Sequence, residues 1–291
     1  MTATGSPRIV FALLLTPALL LFLAFFLLPL AVMATLSVLS GNPVNMPNVV
    51  FTTRHWERML GDVYYAEVAW TTIRLGLITT FVTLLIGYPL ALLLARMRSR
   101  TGRTLLLMAV LSPLLIGVVV RTYAWMTLLS NKGVINQVLT GLGLIAQPIE
   151  LMYNELGIVI ALTHIYVPFM VLTLTGVIGR IDPRLEEAAR NLGADRRRTF
   201  LEVTLPLSLP GILAGSLLVF ALTISAYVTP ILMGGFTVMT LPILIYQQIS
   251  GSFNIGFAAT LGLLLLTLSL VLVIVYNHVL GRFTSAGREL K

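Results

Sequence analysis

Six apolar runs, near residues 9–36, 69–95, 104–129, 157–179, 211–233 and 257–280, constrain this chain more than any other feature. Each is long enough for the about 20 residues that an α-helix needs to cross the hydrocarbon core of a bilayer. No water reaches the backbone there, so a spanning segment must be a helix or part of a closed barrel. Barrel strands are about 10 residues long and alternate apolar with polar, and these runs do neither. The expected fold is all-α, with six transmembrane helices in a single transmembrane domain over residues 1–291. Composition agrees: 57% of residues are hydrophobic and only 10% charged, against about 25% charged in a soluble domain. The first run, with Arg8 before it, begins like a secretory signal. It is longer than the apolar core of about 7–15 residues that a signal carries, so it reads as a retained span.

Charge predicts the orientation. With the N-terminus in the cytoplasm, the inner segments hold Arg8, Arg96, Arg98, Arg100, Arg103, the six arginines from Arg180 to Arg198, Arg282, Arg288 and Lys291. The outer segments hold Arg54, Arg58 and Lys132, so the bias is 14 against 3. Cytoplasmic loops carry the excess of Lys and Arg, which puts both termini inside. Trp56, Tyr64, Tyr65, Trp70 and Trp125 cluster near the outer helix ends, where amphipathic rings favour the interface. The net charge of +8 therefore reports topology and contact with membrane lipid, not nucleic acid.

Pro89, Pro113, Pro168 and Pro230 interrupt the runs. Each removes a backbone donor, so each is either a packing kink or a frame for a solute path. Gly76, Gly87, Gly117, Gly176, Gly215 and Gly262 offer close helix approach. Outside, residues 40–68 form a polar connection with Gly41, Pro43 and Pro47. In the segment 131–156, Val134, Ile135, Val138, Leu139 and Leu142 fall at helical spacing, which predicts a short helix at the outer surface.

The inventory of reactive groups is thin. There are no cysteines, which excludes thiolate metal sites and cysteine nucleophiles. The two lysines, Lys132 and Lys291, sit in no GxxxxGK(S/T) loop, so this chain cannot build a P-loop for ATP of its own. His55, His164 and His278 have no metal-ligand spacing, and His164 reads as a hydrogen-bonding helix contact. No acid lies deep in a run, so an intramembrane protease or a carboxylate proton relay lacks its parts. Arg121 does lie in a run: at about 1.5 Å per residue it stands about 25 Å from the inner end of the third. A charge at that depth must snorkel to outer headgroups or line a polar path. Tyr123 and Trp125 beside it leave the path reading open; Arg74, nearer an outer end, reads as snorkelling.

The one long polar island of the second half runs from Asp182 to Pro210. Asp182-Pro183 is a helix start, a capping side chain followed by proline at the first helical position. Glu186 and Glu187 follow in the first turn, where acids favour the helix dipole. Leu185, Ala188, Ala189 and Leu192 repeat at i, i+3, i+4, i+7 and make one apolar, small-residue face. Gly193 closes the turn with an expected positive φ, and Asp195 can cap a second short helix. Acids mixed among the arginines predict a protein surface as the target rather than anionic lipid alone.

These residues resemble a known family. Glu187-Ala188-Ala189, three residues, Gly193, nine residues, Val203, one residue and Leu205-Pro206 look like the EAA motif of ABC importer permeases. Gly87-Tyr88-Pro89-Leu90-Ala91, Arg121-Thr122-Tyr123-Ala124-Trp125, Gly133-Val134-Ile135-Asn136 and Pro168-Phe169-Met170 resemble its spermidine/putrescine branch. The resemblance implies a type I importer permease fold. Its coupling helix, between the fourth and fifth spans, would carry Glu187, Ala188, Ala189, Gly193, Leu205 and Pro206 and span 182–206. It implies a bacterial inner-membrane protein, not an enzyme, with no cofactor of its own, ATP and Mg being bound by the ATPase. The implied partners are a second permease subunit, around which the first helix would pack, two ATPase subunits and an extracytoplasmic substrate-binding protein. Arg121, Tyr123, Trp125 and Tyr227 are the candidate substrate path.

The solute is expected to be a polyamine or a related small organic molecule. One departure bears on that: Ser225-Ala226-Tyr227-Val228-Thr229-Pro230 has alanine where polyamine permeases often carry an acid. A desolvated ammonium needs a carboxylate or aromatic faces. The alternatives are an opine-like or other amino-acid-derived solute meeting Arg121, or a stand-alone secondary transporter or channel. No repeat of one half in the other is visible, which weighs against the last.

Overall fold

A computed structural model describes residues 7–40 and 50–286. Gly41, Pro43, Pro47, Arg288 and Lys291, which entered the topology argument, lie outside the described residues. All the regular elements described are helical. Five helical segments are long and apolar enough to cross a membrane: Leu15–Leu36, Val63–Arg96, Glu155–Ile178, Arg196–Ile224 and Ile255–Tyr276. A sixth passes only as a pair, Arg100–Leu115 with Val118–Gly141, bent by 99°.

The chain divides into two compact units. The first comprises residues 1–66 and 244–267. It holds α1 (Pro7–Phe22), a π turn (Leu23–Leu27), α2 (Leu28–Leu36), α3 (Arg54–Gly61) and the start of α14 (Ile255–Ala286). Its centre is Phe257, fully buried, with the Tyr65 ring edge-on at 5.2 Å and the Arg58 guanidinium 4.7 Å from the ring centroid. The His55 ring meets the Leu39 carbonyl at 3.2 Å. Met33 lies against Gly262, where a Cβ would come within 2.6 Å of its methyl group.

The second unit comprises residues 67–243 and 268–291. Most of α4 (Val63–Arg96) belongs to it, with α5 (Arg100–Leu111), α6 (Val118–Leu129), α7 (Val134–Gly141) and α8 (Glu155–Ile178). The island contributes α9 (Pro183–Asn191) and α10 (Arg196–Thr199). A π turn (Phe200–Thr204), α11 (Leu205–Ile224) and α12 (Val228–Gly234) follow, and α13 (Leu241–Ser250) begins here. Helix α8 is the hub, with 56% of its spanning window buried. Met170, fully buried, is gripped from both sides. A Cβ on Gly87 of α4 would come within 2.8 Å of its side chain, and one on Gly215 of α11 within 2.6 Å of its sulfur. Such backbone proximity is how helices associate in lipid, where water does not drive them together. A Cβ on Gly117 or Gly176 would meet nothing within 4 Å, so neither is a close-approach position within this chain.

Two expected spans differ from their predicted form. The run 104–129 is not one straight helix: α5 ends at Leu111, a 3-10 turn covers Ser112–Leu115, and α6 starts at Val118. Pro113 lacks the N–H that would extend α5, and its ring opposes the carbonyl four residues back. The run 211–233 is likewise divided. Helix α11 starts earlier, at Leu205, and ends at Ile224, and α12 follows after Ser225–Tyr227. Pro230, in the first turn of α12, lacks the N–H that would bond to the Ala226 carbonyl. The exposed ends are satisfied locally: Tyr166 donates its hydroxyl to the Leu222 carbonyl at 3.0 Å, and Ser225 donates to that of Ala221 at 2.9 Å. Pro89 and Pro168, by contrast, sit inside continuous α4 and α8.

Candidate functional site

The island folds as its caps dictate. The Asp182 carboxylate accepts from Arg184 N at 3.0 Å and opens α9 with Pro183 at its first position. Gly193 has φ +92°, a conformation that costs little only for glycine. The Asp195 carboxylate accepts from Arg198 N at 2.6 Å and opens α10. The two acids of the first turn then part ways. Glu187 is exposed, together with Ala188 and Gly193, while Ala189 and Leu205 are half-buried and Pro206 exposed. Glu186 turns inward: its carboxylate receives Arg96 Nη2 at 2.5 Å and the Thr204 hydroxyl at 3.0 Å. Leu185 and Leu192, the ends of the expected apolar face, are 48% and 89% exposed. Ala189 alone of that face is turned partly inward.

A second cluster forms at the bend between α5 and α6. The Trp125 indole N–H donates to Nδ1 of His164 at 3.1 Å, with the rings edge to face. That Nδ1 therefore carries no proton. Both rings, with Ile86, Val110, Pro113 and Val167, line a cavity of about 470 Å³. Arg121, one turn before Trp125, is half-buried, and its Nε and Nη1 are buried without a hydrogen-bond partner. Helix α12 packs on α6 and is locked to it by the buried Thr122 and Thr229 hydroxyls, 2.9 Å apart. Tyr227 stands at the entry to α12, half-buried, and Tyr123 is 55% exposed. Of the four candidate path residues only Trp125 lines the cavity; Arg121, Tyr123 and Tyr227 lie outside its lining. Among the described residues no group of three or more His, Asp or Glu could hold a metal.

A long apolar helical chain, broken at two prolines around a lone guanidinium and presenting a capped polar helix, invites comparison with membrane transport components. The family described as the binding-protein-dependent transport system inner membrane component matches residues 77–285. The chain belongs to this family. The spermidine/putrescine transport system permease protein PotB of Haemophilus influenzae is 32% identical over 261 residues, covering 89% of this chain and 91% of its own. PotB of Escherichia coli K12 is 36% identical over 211 residues, covering 72% and 76%. A bacterial alginate ABC transporter, solved in complex with its alginate pentasaccharide-bound periplasmic protein, matches with a TM-score of 0.74 at 21% identity, covering 95% of each chain. At that identity the likeness is one of fold. The protein is a permease component of an ABC importer.

Several polar contacts of this permease were not visible in the sequence. Arg96 counted only as one inner arginine, and Glu186 as one of two adjacent acids; no spacing rule pairs residues 90 positions apart. Arg74, read as snorkelling, instead pairs with Glu155 at the start of α8. Asn136, 1% exposed, donates to the carbonyls of Ser130 and Ile149 and accepts from Ile149 N, stapling the segment that follows α7. A polar recess of about 820 Å³ lies beside that segment and is lined by Lys132, Glu150 and Tyr153.

Proposed function

We propose that this permease forms the solute path of a polyamine-type importer and is driven through α9 by a separate ATPase. The exposed apolar residues of α9 carry the reading: Leu192 is 89% and Leu185 48% exposed, while Glu186 anchors the helix from behind. That arrangement supports a docking element, with Glu187, Ala188, Ala189, Gly193, Leu205 and Pro206 on the coupling segment. In this assembly both termini and the island face the cytoplasm, two ATPase subunits bind ATP and Mg, and the bent α5–α6 pair counts as the sixth span. A second permease completes the path, which Arg121, Tyr123, Trp125 and Tyr227 line. A substrate-binding protein delivers solute at the outer face, near the recess of Lys132 and Glu150. The 32–36% identity to the two PotB proteins favours spermidine or putrescine as the solute class.

The experiment is Glu187→Lys in the assembled complex. Uptake should fall about tenfold or more, as for a misplaced charge in a desolvated contact, with less ATPase recovered on purification. Normal uptake with intact ATPase association would sink the docking reading.

A second reading of the solute is favoured by Arg121, whose unpartnered nitrogens suit a carboxylate better than an ammonium. No acid occurs between residues 68 and 149 to balance a cation there. Affinities of the cognate binding protein for polyamines and for opine-like amino acids, set beside uptake by Arg121→Ala, separate the two. Selective loss of carboxylate-bearing solutes by that variant supports the second reading. Unchanged uptake and specificity would remove Arg121 from the path.

A further inference from the structure

Helix α9 is tied covalently to two spanning helices. Residues 179–182 join it to α8, and α10 with the π turn join it to α11. Any displacement of α9 therefore reaches α8 and α11 along the chain. Helix α4 has no such connection, because the residues that meet it are 85 to 120 positions away in sequence. It is reached only by side chains, and the structure shows which.

Arg96 is the last residue of α4. Its Nη1 donates to the Ile181 carbonyl at 3.2 Å, and its Nη2 meets the Glu186 carboxylate at 2.5 Å. The same carboxylate oxygen accepts the Thr204 hydroxyl from the π turn at 3.0 Å, and its other oxygen lies 3.7 Å from Arg190. The Arg96 and Glu186 side chains are 24% and 14% exposed. A further ion pair of the island, Arg198 with Glu202, is 68% and 60% exposed, where solvent leaves a pair with little net energy. Two turns back along α4, the Tyr88 hydroxyl lies 2.9 Å from that of Ser208, and its ring meets Phe200 edge-on at 5.8 Å. One face of α4 thus holds the segment before α9, α9 itself, and the entry to α11.

We infer that Arg96 is the positioning residue that passes movement of α9 to α4. The inference rests on the reading of α9 as the ATPase-docking element. A bound nucleotide shifts the permease between states only through contacts that differ between them, and only as far as those contacts are mechanically joined to the path. Arg96 makes that joint with two different nitrogens on two acceptors from separate elements. A lysine, with one ammonium on a flexible stem, cannot reproduce this fork.

The test uses the complete importer in proteoliposomes, with Arg96→Ala, Arg96→Lys, Glu186→Gln and the charge exchange Arg96→Glu with Glu186→Arg. Uptake, ATP hydrolysis and the amount of ATPase retained are each measured. The expected result for Arg96→Ala is an ATPase retained in wild-type proportion that hydrolyses ATP, while solute moved per ATP falls about tenfold or more, as for loss of one partner of a half-buried pair. Arg96→Lys and Glu186→Gln should show the same uncoupling in smaller degree, and the charge exchange should recover part of the ratio. If Arg96→Ala does not assemble, the ratio in Arg96→Lys and Glu186→Gln decides.

An unchanged ratio overturns the inference. So does loss of uptake and hydrolysis in parallel without recovery in the exchange, which marks Arg96 as structural only. Glu187→Lys distinguishes the two levels. If that variant is inactive while Arg96→Ala has a normal ratio, docking stands and the Arg96 joint falls. If Glu187→Lys transports normally and keeps its ATPase, both fall together.

Discussion

Single residues in this permease divide by whether their polar atoms are satisfied inside the chain. Asn136 is the fully satisfied case: one buried amide makes three hydrogen bonds that hold residues 130 and 149 together. Removing the amide leaves the Ile149 carbonyl and N–H without partners, while the Ser130 carbonyl keeps the Gly133 N–H, at a cost of about 1–3 kcal/mol per buried group left unmet. Asn136→Ala should therefore lower the melting temperature measurably and expose the segment after α7 to protease. Asn136→Asp should be worse, because its carboxylate would face the two carbonyls that the amide now donates to. Equal behaviour of Ala and Asp would show that packing, not hydrogen bonding, matters there. The sequence shows such an asparagine only as a polar letter beside an apolar repeat. Nothing local tells whether its amide points to water or to a loop 13 residues on.

Elements were legible where the signal is local and opaque where it is tertiary. The caps Asp182 and Asp195 and the turn at Gly193 follow from a few adjacent residues, and the structure places them as the spacing predicts. The breaks at Pro113 and Pro230 do not follow in that way, because Pro89 and Pro168 are the same residue in equally apolar runs and interrupt nothing. What differs at the second break is the company: the Tyr166 and Ser225 hydroxyls both donate to the Leu222 carbonyl at the end of α11. A hydropathy window averages over such sites and joins α5 to α6 and α11 to α12. The turn at Gly193 allows a prediction at this scale. A Cβ there meets nothing within 4 Å, so any penalty comes from φ +92° and not from a clash. Gly193→Ala should cost about 1–2 kcal/mol. The cost falls on the α9–α10 turn, so the global melting temperature should move little while less ATPase is retained. Gly193→Asn, which tolerates the left-handed region better, should retain more than Ala, and Gly193→Val less. An order set by side-chain size alone would point to sterics instead.

For the whole molecule the most telling contrast lies between two of its apolar helices. The window in Glu155–Ile178 is 56% buried within this chain, and that in Leu15–Leu36 not at all. Phe25 and Leu28 of the latter are 78% and 62% exposed. In water such a surface would be a liability. In lipid it costs nothing, because acyl chains are as apolar as leucine, so exposure alone does not reveal a protein partner. The proposed assembly does make a distinction, since there the first helix packs on the second permease. A chain lacking residues 1–30 keeps Met33, which lies against Gly262, and every contact of the second unit. Its own melting temperature should therefore stay close to that of the full chain. Recovery of the second permease should nevertheless fall about fivefold or more, the population change carried by about 1 kcal/mol of lost packing. If partner recovery is unchanged, the first helix is a lipid anchor and the two permeases meet elsewhere. If instead the truncated chain itself unfolds, the helix supports its own subunit despite burying none of its spanning window.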